Sequence, residues 1–373
     1  MKITFNKEEF LSSLNIVSKA IKRNNLQKIL DCIYIDASKN KIYLTSQDGK
    51  EITIKTEAKG NIIENGVAAI EGQKLLEAVS KMPNDKEIEL EVTKDRDCII
   101  ICGENIKNNF QARDESTYPN SPQIIKENKI TISELKLKRI IEKTIFSYDR
   151  NSESGNIILK GIYFNVNKEE FTAKSMDGYI ISIINEKIIG NQNKYEKIVP
   201  GSTLEEIYKL LKIEVNKDVN IYFNEKNISF EFNNTIVTSI IIPNNYIDTD
   251  RIFSVDNTTS ININREDLLS ALDRSTTFVE ESENNKKPVI LNIKDETIEI
   301  SLSSLSGESY EKINIKKSGK DIRIAFNAKK LIKILNVIGD ENVNLYFSGS
   351  KQPVIIKDKQ ETYLYLLTPV KID

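Results

Sequence analysis

The side chains that most often carry out acid–base and metal chemistry are scarce in this sequence. The 373-residue chain contains no histidine, which excludes Ser-His-Asp and Cys-His catalytic groups and His-based zinc sites. Its acidic residues are scattered over predicted strands and turns without a paired constellation, and the sequence has no Gly-rich phosphate loop. We therefore expect a protein without catalytic activity, metal or cofactor.

The three cysteines do not alter this expectation. Cys32, Cys98 and Cys102 form an odd set without the spacing of a zinc site. Cys98 and Cys102 lie four residues apart on one predicted strand, so both occupy the same face. We interpret all three as buried apolar side chains rather than as metal ligands or a disulfide.

Basic residues, by contrast, are clustered on particular predicted helices. With a net charge of −2 and an isoelectric point near 5.8, the chain is not expected to coat nucleic acid indiscriminately. The clusters are either the solvated faces of surface helices or a segregated basic face, and their recurrence favours the second interpretation. Their members are Lys19, Lys22, Arg23 and Lys28, then Lys136, Lys138, Arg139, Lys143 and Arg150, then Lys209 and Lys212, and finally Lys329, Lys330 and Lys333.

The helices that carry these clusters belong to an internal repeat. A short strand runs into an amphipathic helix at Ile324–Leu335, and Leu331, Ile334 and Leu335 share one face of that helix. Similar segments occur twice earlier, and the equivalent leucines Leu76, Leu204 and Leu331 lie 128 and 127 residues apart. Two nearly equal spacings of this size indicate three copies of one domain.

Each copy also opens alike, with an alternating strand that ends on a residue able to cap the following helix. These strands are Lys2–Asn6, Lys129–Ser133 and Ser260–Asn264. Polar segments follow copies one and two, so we predict domains at residues 1–122, 128–245 and 259–373. No apolar run is long enough for a membrane span and no leader is evident, so we expect a cytoplasmic protein with no membrane partner.

This organisation resembles the bacterial DNA sliding clamps, the beta subunits of DNA polymerase III. The similarity covers the whole chain, and four motifs carry it. They are the helix start Ile324–Ala328, the loop Met176-Asp-Gly-Tyr-Ile-Ile181, the linker Asn245–Arg251 and the chain ending Tyr363–Ile372.

The resemblance implies an α+β fold of three tandem clamp-type domains, with antiparallel sheets outside and two helices from each domain lining a central hole. It further implies a ring-shaped head-to-tail homodimer that encircles duplex DNA without reading its sequence and acts as a DNA polymerase processivity factor. Its implied partners are the polymerase III alpha subunit, the clamp loader, repair polymerases and mismatch-repair proteins. These proteins would dock short peptides in an apolar pocket between domains two and three.

The resemblance also implies three sets of functional residues. The peptide pocket would comprise Leu159, Met176, Gly178, Tyr179, Ile180, Ile181, Ile247, Arg251, Ile252, Pro353, Leu366, Thr368, Pro369, Val370 and Lys371. The DNA-facing residues would be Lys19, Lys22, Arg23, Lys28, Lys136, Arg139, Lys143, Arg150, Lys209 and Lys330. The dimer interface would include Phe110, Thr277 and Phe278.

Some positions depart from the family pattern. The usual Thr-Asp-Gly-His-Arg-Leu loop reads Met-Asp-Gly-Tyr-Ile-Ile here, and Ile247 replaces the usual proline, so we expect a more apolar pocket with a different peptide preference. Asn24 stands where a DNA-contacting arginine is common, with Arg23 and Lys28 nearby. The alternative hypothesis is a clamp-fold interaction scaffold, or a diverged clamp paralogue, that does not encircle DNA.

Overall fold

A computed structural model of the chain describes most of its residues. The described ranges are 1–22, 26–151, 155–191, 193–212, 217–253, 256–277, 288–305 and 307–371, without the side chains of Asp250 and Arg251. Three of the predicted functional residues fall outside this part of the chain. These are Arg23, Phe278 and the side chain of Arg251, and Asn24 also lies outside the described residues.

The helices recur in the order that the repeat predicts. Two helices follow strands in each copy, and those that start at residues 72, 201 and 328 lie 129 and 127 residues apart. Short 3-10 helices occupy Ser18–Ala20, Lys28–Asp31, Glu115–Thr117 and Ile157–Lys160. The α-helices are α1 (Lys7–Val17), α2 (Gly72–Ser80), α3 (Glu134–Ile145), α4 (Gly201–Leu210), α5 (Asp250–Phe253), α6 (Arg265–Thr276) and α7 (Ala328–Val337).

The strands make up most of the remaining regular structure. The first ten are β1 (Lys2–Phe5), β2 (Cys32–Asp36), β3 (Ile42–Gln47), β4 (Ile52–Ala58), β5 (Asn61–Glu64), β6 (Val67–Glu71), β7 (Ile88–Val92), β8 (Asp97–Cys102), β9 (Ile106–Gln111) and β10 (Lys129–Ser133). The next seven are β11 (Gly161–Asn167), β12 (Glu170–Met176), β13 (Ile180–Lys187), β14 (Lys194–Pro200), β15 (Asp218–Phe223), β16 (Asn227–Phe232) and β17 (Thr235–Ile240). The last nine are β18 (Thr259–Asn264), β19 (Val289–Lys294), β20 (Thr297–Ser304), β21 (Gly307–Asn314), β22 (Lys316–Gly319), β23 (Ile322–Phe326), β24 (Asn342–Phe347), β25 (Val354–Lys357) and β26 (Tyr363–Leu367).

The chain forms two compact units. Unit 1 comprises residues 1–137 and 202–241, and unit 2 comprises residues 138–201 and 242–373. Unit 1 contains a sheet of order β5-β1-β7-β8-β9 and a sheet of order β10-β15-β16-β17-β4-β3-β2-β6. Unit 2 contains a sheet of order β14-β11-β12-β13-β26-β25-β24-β18-β22 and a sheet of order β21-β20-β19-β23. Neither unit coincides with a single repeat, so the predicted domain limits stay a prediction.

In each unit one large sheet is continuous across a junction between repeats. β17 pairs antiparallel with β4 in unit 1, with Val237 opposite Ile54. β13 pairs antiparallel with β26 in unit 2, with Ile181 opposite Leu366. Backbone hydrogen bonds therefore join consecutive repeats, which fixes the register of the side chains on both faces of the junction.

The predicted helix caps and apolar faces are confirmed. The Asn6, Ser133 and Asn264 side chains each accept a hydrogen bond from a backbone N–H in the first turn of α1, α3 and α6. Leu331, Ile334, Leu335 and Ile338 are buried, as are Phe10, Leu14 and Val17 of α1. The three cysteines are buried and free, as predicted.

A repeated backbone contact closes each copy. After the last strand of each repeat, a backbone N–H donates to a carbonyl in or beside the strand that precedes the second helix. The three bonds are Arg113 to Ala69 at 2.8 Å, Ile242 to Ile198 at 2.9 Å, and Val370 to Ala325 at 2.8 Å. The chain ending is therefore held against β23, and the linkers of the first two repeats are held in the same way. Within the described residues, no helix combines the length and apolar character that a membrane span requires.

A substitution of Gly161, at the start of β11, tests how closely side chains are packed around the backbone contact between Ile242 and Ile198. A Cβ at this position would lie 2.4 Å from Ile198 Cγ2 and 2.9 Å from Ile242 Cδ1. We predict that Gly161→Ala lowers the free energy of unfolding by about 1–3 kcal/mol, because both side chains must move. Gly339→Ala is the matched control, since a Cβ there meets nothing within 4 Å. Urea midpoints measure both variants, and equal midpoints would contradict the close packing at Gly161.

Candidate functional site

A cluster of apolar side chains lies in unit 2, near the start of β13 and the end of β26. Four of its buried members, Leu159, Met176, Ile181 and Leu366, were predicted as pocket residues, and the structure brings them together. The sequence analysis missed Ile183, also buried in the cluster, and the partly buried Tyr246, Phe253 and Leu364 that pack against it. The alternation of strands could have found Ile183 and Leu364, since each lies two residues from a predicted member.

Exposed apolar residues are present on the segments that carry this cluster. Tyr179 is 52% exposed, Ile247 39% and Ile252 37%, and these three were predicted. Ile157, exposed on the same 3-10 helix as Leu159, was missed. Solvent-exposed apolar side chains beside a buried apolar cluster are typical of a surface that binds an apolar segment of a partner.

The remaining predicted pocket residues occupy three different environments. Ile180 is fully buried and alternates with Ile181, so it lies on the opposite face of β13 from the cluster, and its role in the pocket stays a prediction. Pro353 is half-buried directly before β25, whose Val354 lies opposite Leu367. Thr368, Pro369 and Val370 are half-buried and Lys371 is exposed in the segment that follows β26.

The Asp-Gly turn between β12 and β13 leaves space beside the cluster. Gly178 has φ +90°, and a Cβ built on it would meet nothing within 4 Å. The equivalent turn of unit 1 is filled, since a Cβ on Gly49 would lie 2.8 Å from Leu30 Cδ1. The Gln47 amide there also donates to the Pro119 carbonyl at 2.8 Å. The same turn is thus closed in unit 1 and open in unit 2.

An ion pair and an aromatic contact fix the open turn. Asp177 Oδ1 accepts the N–H groups of Tyr179 at 2.8 Å and Ile180 at 2.7 Å. Its other oxygen, Oδ2, lies 2.7 Å from Lys330 Nζ, and that ammonium is also 4.4 Å from the centre of the Tyr179 ring. Lys330, which was predicted to face DNA, thus contacts this turn, and its DNA-facing role stays a prediction.

Tyr246 holds the linker that carries Ile247. Its ring stacks on that of Tyr163 with a centroid distance of 5.0 Å and an interplanar angle of 10°. Burial raises the pKa of the Tyr246 phenol well above its usual value, and within the described residues its hydroxyl has no hydrogen-bond partner. The ring therefore contributes apolar contact that orients the linker beside the cluster.

Most of the predicted DNA-facing residues are exposed, and several are paired with acids. Lys19 and Lys209 line a groove of unit 1 that extends from α1 to the end of α4, together with Lys212 and Lys217. Arg150 is exposed, with its Nε 3.3 Å from the Tyr148 hydroxyl, and Lys136 is half-buried. The ion pairs are Lys22 with Asp48 at 2.5 Å, Lys28 with Asp31 at 3.6 Å, Arg139 with Glu186 at 3.3 Å, and Lys209 with Glu206 at 2.7 Å.

Lys143 does not belong to this set. Its side chain is only 8% exposed, and its ammonium lies 4.7 Å from the centre of the Tyr363 ring. Burial lowers the pKa of Lys143, since a charged ammonium is less stable away from water. The DNA-facing role of Lys143 stays a prediction, and helical spacing alone did not show that Tyr363 of β26 lies against this position.

Two of the predicted dimer residues, Phe110 and Thr277, lie at or near sheet edges. Phe110 is half-buried on β9, which ends the five-stranded sheet of unit 1. Thr277 directly follows α6, and Arg274 of that helix binds Glu311 on β21 through two contacts of 2.7 Å. β21 ends the four-stranded sheet of unit 2, so each unit has a terminal strand near a predicted interface residue. Among the described residues, no group of three or more Cys, Asp or Glu side chains is arranged to hold a metal ion.

Comparisons with known proteins give one consistent result. Three family models of the DNA polymerase III beta subunit match the chain: the N-terminal domain over residues 1–122, the central domain over 131–248 and the C-terminal domain over 250–371. A beta sliding clamp from Staphylococcus epidermidis is 26% identical, with 100% of this chain and 99% of the relative covered. Two solved structures cover both chains completely with a TM-score of 0.95. One is named as a DNA polymerase III beta subunit, from Eubacterium rectale, at 36% identity, and the other is a DNA polymerase sliding clamp from Bacillus subtilis at 27%.

The Asp48 turn of unit 1 gives a pH-dependent prediction. Burial alone would raise the pKa of Asp48, but the Lys22 ammonium and the N–H groups of Lys50, Glu51 and Ile52 lower it below its usual value. A lowered folded-state pKa adds stability above about pH 4, and this stability is lost as the pH falls further.

We predict that Asp48→Asn lowers the free energy of unfolding by about 1–2 kcal/mol at pH 7 and by much less at pH 3. Asp85→Asn, at an exposed position, serves as the control for loss of one carboxylate. Urea unfolding of the full chain at both pH values measures the difference. A loss of stability that is the same at pH 3 and pH 7 would show that the Asp48 carboxylate charge does not stabilise the turn.

Proposed function

Because the chain belongs to the DNA polymerase III beta subunit family and is a DNA polymerase processivity factor, we propose that it encloses duplex DNA as a homodimeric ring. The observation that carries this proposal is the structural match, over 100% of both chains and at a TM-score of 0.95, to a DNA polymerase III beta subunit and a sliding clamp. A ring acts by enclosure, which explains a sequence without a catalytic constellation. We expect the protein to act in the cytoplasm and to catalyse no reaction.

The sheet edges support a head-to-tail dimer. β9 and β21 are terminal strands of their sheets, and a terminal strand presents backbone N–H and C=O groups that can pair with another chain. In a head-to-tail arrangement, β9 of each protomer pairs with β21 of its partner, and the rotation closes after two subunits. Phe110 and Thr277 then contribute to the two sides of each interface.

The basic residues support binding to duplex DNA without sequence recognition. Lysine contacts to phosphates position a protein on DNA and carry no base information. Several of these cations are also paired with acids, which keeps individual phosphate contacts weak. Weak, salt-screened contacts suit a ring that slides, because retention comes from enclosure rather than from affinity.

The apolar cluster of unit 2 supports peptide docking by the polymerase III alpha subunit, the clamp loader, repair polymerases and mismatch-repair proteins. A peptide that buries about 200 Å² of apolar surface gains about 5 kcal/mol before ordering costs, which suits partners that exchange on one site. The exposed Ile247 and Ile252 side chains and the open turn at Gly178 give such a peptide access to the buried cluster.

We predict that the protein is retained on a nicked circular plasmid and released when the plasmid is linearised. Retention after loading by the cognate clamp loader is measured by gel filtration. Lys19→Glu with Lys209→Glu should shorten the lifetime on the circle about threefold to tenfold at moderate salt, because phosphate contacts are lost.

The matched control is Lys94→Glu with Lys226→Glu, which makes the same charge change in the exposed turns after β7 and β15. Equal lifetimes for both double variants would reject the assigned DNA surface. Equal retention on circular and linear DNA would favour the scaffold that does not encircle DNA.

We also predict that Ile247→Asp and Ile252→Asp each weaken peptide binding at least about tenfold, because each places a charge beside the apolar cluster. The probe is the tightest binder from an array of overlapping 12-residue peptides of the alpha subunit from the same genome. Ile189→Asp is the control, since Ile189 is 89% exposed on the loop between β13 and β14. If all three variants bind alike in fluorescence anisotropy, the peptide does not use this cluster.

A further inference from the structure

The Lys330 ammonium occupies an unusual place for a residue on a basic helix. It lies at the third position of α7, where its backbone N–H is capped by the Asn327 side chain at 3.1 Å. Its side chain leaves the basic face and contacts the Asp177 turn, and only 19% of it is exposed. The neighbouring Lys329 and Lys333 are exposed.

The Asp177 carboxylate is the charge that Lys330 compensates. One oxygen is occupied by the two backbone N–H groups of the turn, and the other faces the ammonium at 2.7 Å. The Asp177 side chain is 17% exposed, so its charge is poorly screened by water. Because Asp177 directly follows Met176 of the apolar cluster, an uncompensated carboxylate would place negative charge at the edge of the docking site.

Tyr179 links this ion pair to the solvent-exposed side of the site. The ammonium lies 4.4 Å from the centre of its ring, a distance at which a cation is attracted to the ring face. The ring nevertheless remains half exposed, so part of its surface is open to an apolar side chain of a partner. Lys330 therefore acts on both the charge and the aromatic surface of the turn.

We propose that Lys330 sets the charge selectivity of the docking site. By neutralising Asp177, it allows the site to accept peptides that carry an acidic residue beside their apolar anchor. This inference rests on the proposed peptide-docking function. Lys330 is a specificity residue that acts through Asp177 and Tyr179, rather than a contact to DNA phosphate.

The other charged groups near this turn define the controls. Arg150, Lys333 and the buried Asp149 line a polar cavity together with Asp177 and Lys330. If cations in general tuned the site, removing Lys333 would have the same effect as removing Lys330. The inference requires that only the residue paired with Asp177 changes charge selectivity.

The test uses the tightest alpha-subunit 12-mer in two versions, with Asp or Asn at the residue next to its apolar anchor. In the wild-type protein the two dissociation constants should be nearly equal. Lys330→Met should weaken the Asp version about fivefold relative to the Asn version, because the peptide carboxylate then meets an uncompensated Asp177. The two dissociation constants should be nearly equal in Lys330→Arg and in the double variant Asp177→Asn with Lys330→Met. They should also be nearly equal in Lys333→Met.

Each alternative result has a distinct meaning. If Lys330→Met weakened the binding of both peptides equally, Lys330 would only support the structure of the turn, and the inference would be overturned. A matching shift in Lys333→Met would overturn it as well, since the effect would not depend on Asp177. Failure of the wild-type protein to bind either version would instead overturn the proposed docking function, and the inference with it.

Discussion

The antiparallel pairing of β13 with β26 is the interaction on which unit 2 depends. Ile181 lies opposite Leu366 and Ser182 lies opposite Tyr365, so successive residues face opposite sides of the sheet. One face supplies Ile181, Ile183, Leu364 and Leu366 to the apolar cluster. A slip of one residue would exchange the two faces and put a serine and a tyrosine into the apolar cluster.

The opposite face of the same pairing carries a polar contact among buried apolar side chains such as Ile184 and Leu367. Ser182 accepts a hydrogen bond from the Ser147 hydroxyl at 2.7 Å, and the Ser175 hydroxyl donates to the Thr144 carbonyl at 2.7 Å. The C-terminal end of α3 has carbonyl groups without partners inside the helix, and these buried hydroxyls satisfy one of them. The register of a single strand pair thus determines both the polar contact with α3 and the composition of the apolar cluster.

A structural feature could be predicted from the sequence when it depends on residues that lie close together in the chain. The repeat, the helix caps and the buried cysteines follow from local patterns, and all are found in the structure. The resemblance identified four of the five buried members of the apolar cluster and missed Ile183. The contacts of Lys143 and Lys330 could not be predicted, because they depend on tertiary structure. Helical spacing cannot show that Tyr363 or Asp177, distant in sequence, lies within reach of an ammonium group.

The two Asp-Gly turns show how one repeated fold gives a closed site in one place and an open site in another. Asp48 and Asp177 cap their turns in the same way, and each carboxylate is paired with a lysine. Asp48 takes Lys22 from its own repeat, whereas Asp177 takes Lys330 from the repeat that follows. Because an element of the next repeat supplies the compensating charge, the charge at the open turn depends on the packing of α7 against it. Under the proposed docking function, a change in α7 would alter peptide selection without changing any residue of the apolar cluster, whereas the closed turn of unit 1 takes its lysine from its own repeat.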